Sequence, residues 1–252
     1  MKDSSDERFI GIKATLIIVF FFVLLELFGQ NLIQGFPILI FDSVLRLVFG
    51  AICLVVVFKL FGRTPGNVLK FRNNGHALLS GVGVLGFLCF YVVCLAIGFS
   101  GITGLTAGLF LAEIVFQQIG AGFFEELLFR VLFCEGFFYS KDTKTNRLIY
   151  ALTGSVIFGL LHCLGGWYWW TFLFTSVFGL AMSTIYMLSK NIAIPMIIHF
   201  LVDFFGHSEG YIVTRSDQTI LSLNIRVVAV VLMALASLAM LLFAKNRSGM
   251  GK

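Results

Sequence analysis

Unbroken apolar runs decide what this chain can become. Residues 16–25 and 227–243 are built almost wholly of aliphatic and phenyl side chains, with no polar residue at every second position. A barrel strand would show that alternation. In lipid only helices and closed barrels satisfy their own backbone groups, so these runs predict membrane-spanning helices. Composition agrees, because 59% of the residues are hydrophobic and only 12% are charged, against about 25% charged in a soluble domain.

A span needs about 20 apolar residues. On that measure the chain divides at residues 14–33, 37–61, 77–99, 148–164, 167–188, 192–205 and 221–243, with 101–139 as an awkward segment, long for one span and short for two. Gly120-Ala121-Gly122 offers a break there, so the expectation is a partial helix up to Gln118 and a second helix over residues 121–138. Ser80, Gly81, Gly83 and Gly86 mark a surface where a neighbouring helix can approach closely. The fold class expected is all-α, a polytopic membrane helical bundle of about eight transmembrane helices. The segments expected are an N-terminal three-helix membrane region (1–100), a helical core (101–206), and an outer loop with the last span and tail (207–252).

Lys and Arg cluster in the N-terminal lead-in, around Lys59–Arg72, around Lys141–Arg147, at Lys190 and in the tail at Lys245, Arg247 and Lys252. Arg215 and Arg226 are exceptions. That asymmetry predicts both termini in the cytoplasm, and in a bacterial host residence in the plasma membrane. The net charge of +5 is accounted for by these loops and calls for no nucleic acid. No small-residue cleavage site follows the first apolar run, so it reads as a retained span. Cys53, Cys89, Cys94, Cys134 and Cys163 are isolated in apolar runs and read as free thiols. Trp167-Tyr168-Trp169-Trp170 reads as an interfacial aromatic belt.

Against this background Glu125, Glu126 and Arg130 stand out, because ionisable groups at membrane depth are costly and mark function by default. Glu126 and Arg130 share a helical face, as do His199 and Asp203. Glu125 and His162 lie about eighteen residues on either side of a loop centred near Thr143–Lys144, which sets them at matching depth. Three carboxylates (Glu125, Glu126, Asp203) against one guanidinium leave a formal −2 if every acid ionises. Either a carboxyl keeps its proton or a cation such as Zn²⁺ is present. A carboxylate with two imidazoles can activate water and stabilise an oxyanion, with or without a metal. Glu26, Glu113 and Glu135 have no partner legible in the sequence. Asp42 and Arg46 read as a structural i, i+4 pair, His207 as a solvated interfacial group and His76 as a loop residue.

Glu125-Glu126 with Arg130, Phe158 with His162, and His199 with Asp203 follow in the order E-E-x-x-x-R, F-x-x-x-H and H-x-x-x-N/D. Over residues 120–205 the chain resembles the CPBP intramembrane proteases, the type II CAAX prenyl endopeptidases and bacteriocin-processing or self-immunity proteins. The resemblance implies a glutamate-dependent intramembrane endopeptidase of metalloprotease type. Its substrate would be a membrane-associated peptide or protein, a CAAX-like tail or a peptide precursor. It gives Glu125 the role of activating water and His162 that of positioning it. His199 and Asp203 would bind the oxyanion or a metal, and Glu126 and Arg130 would support the site. Zn held by His162, His199 and Asp203 is the cofactor it implies, with no organic cofactor. The alternatives are a non-proteolytic immunity or scaffold protein using the same cavity, and a proton or cation transporter.

Overall fold

The computed structural model describes residues 4–138, 143–214 and 223–243. Residues 140–142 of the basic loop, Arg215, and the basic tail with Lys245, Arg247 and Lys252 lie outside the described residues. Helix α1 (Ser4–Leu32) is followed by α2 (Phe36–Phe61), the short α3 (Pro65–Val68), α4 (Asn74–Ser80) and α5 (Val82–Gly98). A long helix α6 (Ala107–Phe137) comes next. Then come α7 (Lys144–Leu161), α8 (Trp169–Ser189), α9 (Ala193–Glu209) and α10 (Leu223–Phe243). The chain is an all-α integral membrane bundle, as expected.

Local chemistry sets the ends. Gly35, at φ 70°, turns the chain into α2 just ahead of Pro37, and Gly62, at φ 67°, ends it with its N–H donating to Phe58 O. Glycine suits both positions because left-handed backbone costs it little. Asn191 fixes the entry to α9. Its Nδ2 donates to Arg72 O (2.6 Å) and Asn74 Oδ1 (2.8 Å), while its Oδ1 accepts from Ile194 N–H (3.0 Å).

The expected break at Gly120-Ala121-Gly122 does not occur. Residues 107–137 form one helix, α-helical over Gln117–Glu126 and π-helical over Phe110–Phe116 and Leu127–Phe133. The glycines serve contact instead. A Cβ on Gly120 would lie 3.3 Å from Ser43 O of α2, and one on Gly122 would lie 3.0 Å from Met196 O of α9. Small residues let both helices close on α6 at the level of the two glutamates. The bend falls elsewhere, in the predicted third span, where α4 and α5 meet at 71°. Gly83 of α5 does meet a neighbour, lying under Met233 of α10.

Five helices are long and apolar enough to cross a membrane, or six with the bent pair. The other two expected crossings exist as helices but fall short. Helix α9 has 17 residues, and α7 spends its first turn on Lys144, Asn146 and Arg147. Helix α8 is the central column, with 67% of its apolar window buried, whereas α1 is peripheral at 17%. One element was not anticipated. Residues Phe99–Ile102 (β1) pair antiparallel with Ile212–Thr214 (β2), joining the loops before α6 and after α9. Beside this ribbon the Tyr211 hydroxyl donates to Glu113 Oε2 (2.6 Å), a hydrogen bond that holds the phenol above its ordinary pKa.

Gly159 of α7 lies against α8, where a Cβ would come 2.9 Å from Phe172 O and collide with Ser176 Oγ. Gly159→Val therefore forces the pair apart. A loss of about 1–3 kcal/mol is expected, the usual cost of overpacking, read as a lower thermal midpoint in detergent than for Gly154→Ala, whose Cβ meets only ordinary contacts at 3.7 Å.

Candidate active site

The cluster is assembled from three helices. Glu125 and Glu126 come from α6 one residue before its second π segment, His162 closes α7, and His199 and Asp203 lie on successive turns of α9. All six predicted residues are drawn into one connected set.

Its innermost member is Glu126. Both Glu126 and Arg130 are fully buried, and the guanidinium Nε donates to Glu126 Oε2 at 3.1 Å. The other carboxylate oxygen, Oε1, accepts from His199 Nδ1–H at 2.9 Å. Arg130 Nη1 donates to Ser183 Oγ of α8 (3.1 Å), and the cation lies 5.1 Å from the Phe158 ring centre. Such a pair is strongly destabilised when one partner is removed, since a buried charge is left uncompensated.

His199 carries this order to the other members of the cluster. With Nδ1 committed to Glu126, its Nε2 lies 3.2 Å from Asp203 Oδ2 and 3.8 Å from Glu125 Oε2. At 3.2 Å the contact fits an imidazole N–H donating to the Asp203 carboxylate. Phe178 packs edge-on against the ring at 5.0 Å and fixes its plane.

Glu125 and His162 form the accessible half. Glu125 has 16% of its side chain exposed and His162 has 32%. His162 Nδ1–H donates to Phe158 O (2.8 Å), which leaves Nε2 as an acceptor 3.6 Å from Glu125 Oε2. That oxygen has no hydrogen-bond partner. The oxygen is itself buried, so the pair forms an unsatisfied polar contact at the edge of the cavity.

Two cavities reach the cluster, one through Glu125 and His162 and one through Asp203. One of about 280 Å³ is lined by Glu125 and His162 together with Glu26, Gln30 and Arg46. The other, of about 390 Å³, is walled by Phe87, Trp170 and Phe174 and reached by Asp203 and His207. Among the described residues no three His, Cys, Asp or Glu side chains are disposed to hold a metal ion. His162, His199 and Asp203 do not converge as the expected ligand set, because both nitrogens of His199 face carboxylates and His162 lines a different cavity from Asp203.

The acids without a legible partner find one across the bundle. Glu26 Oε1 accepts from Arg46 Nη2 (2.9 Å), Glu113 accepts from Tyr211, and Glu135 Oε1 accepts from Arg63 (2.6 Å) and Tyr186 (2.9 Å). Arg46 thus reaches back to α1, while Asp42 Oδ2 accepts from Gln117 (3.4 Å). Gln118 is buried and donates to Glu113 O (2.8 Å), away from Glu125. His207 donates Nδ1–H to Asp203 O (3.0 Å) from an exposed position, and His76 sits in α4 and lines neither cavity. Reading the sequence missed Glu26, Gln30, Arg46 and Ser183 as neighbours of the site. An acid inside the first apolar run was the available signal.

Arg130→Met leaves Glu126 buried without its cation. A loss of about 3–5 kcal/mol is expected, detected as a large drop in thermal midpoint, and Glu126→Gln combined with Arg130→Met recovers part of it.

Residues 107–205 match the family model described as Type II CAAX prenyl endopeptidase Rce1-like. No curated protein and no solved structure matches the chain.

Proposed function

We propose, from the match of residues 107–205 to the Type II CAAX prenyl endopeptidase Rce1-like family model, that the chain is an intramembrane endopeptidase that cleaves membrane-associated peptides with Glu125 as general base. The observation that carries this reading is Glu125 Oε2. It has no hydrogen-bond partner, it belongs to a cavity-lining side chain, and it lies 3.6 and 3.8 Å from the two imidazoles.

A water entering from the cavity that both residues line hydrogen-bonds to the Glu125 carboxylate beside His162 and keeps a lone pair for attack. Its oxygen adds to the scissile carbonyl carbon as its proton passes to Glu125 Oε2. The oxyanion so formed takes its hydrogen bond from the proton held by His199 and Asp203. Collapse breaks the C–N bond, and Glu125 returns the proton to the leaving nitrogen. Glu126 and Arg130 act through His199, holding its ring and tautomer. In the family's metalloprotease reading a zinc ion would polarise the carbonyl and lower the pKa of the water. The donor set does not fit such an ion, so no step here depends on it. The proposed substrates are CAAX-like tails or other peptide precursors, met with both termini of the chain in the cytoplasm.

The test is cleavage of a farnesylated, internally quenched CAAX peptide by the protein in proteoliposomes. Glu125→Gln is expected to lower kcat about 10²–10⁴-fold, the usual worth of a positioned base, while the protein still inserts and accumulates. His162→Ala and His199→Ala are expected to fall similarly. Full activity in all three variants would sink the assignment. Activity is also expected to survive EDTA; loss on chelation with recovery on added Zn²⁺ would replace the proton-based scheme with a metal-based one.

A further inference from the structure

The cavity that holds Glu125 has a second polar wall. It comes from α1 and α2, outside residues 107–205, and the mechanism above does not use it. Glu26 and Gln30 stand one turn apart on α1 and both face the cavity. Arg46 of α2 holds Glu26 Oε1 at 2.9 Å and is itself seated 5.6 Å from the Phe22 ring centre. Glu26 Oε2 and the Gln30 amide have no protein partner among the described residues. Glu26 and Glu125 are close enough for their charges to interact.

We propose that Glu26 and Gln30 form a docking ledge for the main chain of an extended peptide, with Arg46 as the residue that positions Glu26. The inference rests on the endopeptidase reading and names how its substrate is held. Three arguments support it. A peptide drawn out of helix within a membrane cavity must find partners for its N–H and C=O groups. Glu26 Oε2 supplies an acceptor, and the Gln30 amide supplies both an acceptor and a donor.

Spacing agrees as well. Residues four apart on a helix are separated by about 6 Å along the axis. In an extended chain the groups on one edge recur every second residue, about 6.6 Å apart. Glu26 and Gln30 therefore fall at the repeat of one strand edge running along α1. Charge selects the occupant. Glu26 and Glu125 outnumber Arg46, which leaves acceptors in excess for amide N–H groups, while the unpartnered Nε and Nη1 of Arg46 suit the carbonyls of the same chain.

The test uses the farnesylated quenched peptide and a set of its backbone N-methylated versions. Glu26→Gln and Gln30→Ala are expected to raise KM about three- to tenfold, the net worth of one hydrogen bond, with kcat within about twofold. Leu24→Ala, on the outward side of α1, serves as control. One N-methylation that weakens the wild type is expected to cost nothing further in Glu26→Gln, a result that mere damage to α1 does not produce. Gln30→Ala, at an exposed position, carries the test if Glu26→Gln fails to accumulate. Unchanged KM in both variants, or an equal N-methyl penalty in wild type and Glu26→Gln, overturns the ledge and leaves the endopeptidase standing. Binding of the peptide to Glu125→Gln protein, read by fluorescence anisotropy, separates the other case. Glu26- and Gln30-dependent binding without any cleavage by the wild type overturns the endopeptidase and supports the ledge. Displacement by oleate to the same extent in wild type and both variants identifies a lipid groove and overturns the ledge.

Discussion

One carboxylate holds this architecture to its chemistry. Glu126 spends its two oxygens on different helices, one on Arg130 of its own turn and one on His199 of α9. In a medium where an uncompensated charge is costly, neither bond can be surrendered without the other losing its purpose. Arg130 extends the set to Ser183 on the central helix. The buried chain Ser183–Arg130–Glu126–His199 thus joins α8, α6 and α9 by polar bonds. Glu125, next in sequence, has no such obligations and is left facing the cavity. Adjacent glutamates acquire opposite duties because a helix turns them about 100° apart.

The close approach that permits this depends on absent side chains. Gly120 and Gly122 let α2 and α9 reach the backbone of α6 immediately before the glutamates. Without that proximity, side chains as short as Glu126 and His199 could not meet at 2.9 Å. Small residues and charges are therefore two parts of one device. The first brings backbones together, and the second makes the approach specific.

Much of this was legible in the sequence. Helical class followed from runs without alternation, and the depth match of Glu125 with His162 followed from counting residues around the connecting loop. The His199–Asp203 contact was prefigured by i, i+4 spacing. Other features were beyond reach for physical reasons. Gly120-Ala121-Gly122 reads equally as a break or as a packing surface, and only the neighbouring helices decide. Partners of Glu26, Glu113 and Glu135 come from distant segments, so periodicity within one helix says nothing of them. The β1–β2 ribbon pairs short loop segments over 100 residues apart, with no hairpin turn to announce it.

That ribbon has a topological consequence. Ile102 is tied to Ile212, and the 107–205 segment lies wholly between these points. The helices that carry the polar cluster are thus strung on a closed ring of chain, fastened at its neck by backbone hydrogen bonds. Helices α1 and α2 press on this ring from outside, α2 meeting the backbone of α6 at Gly120, so the ring is held both at its neck and along its flank.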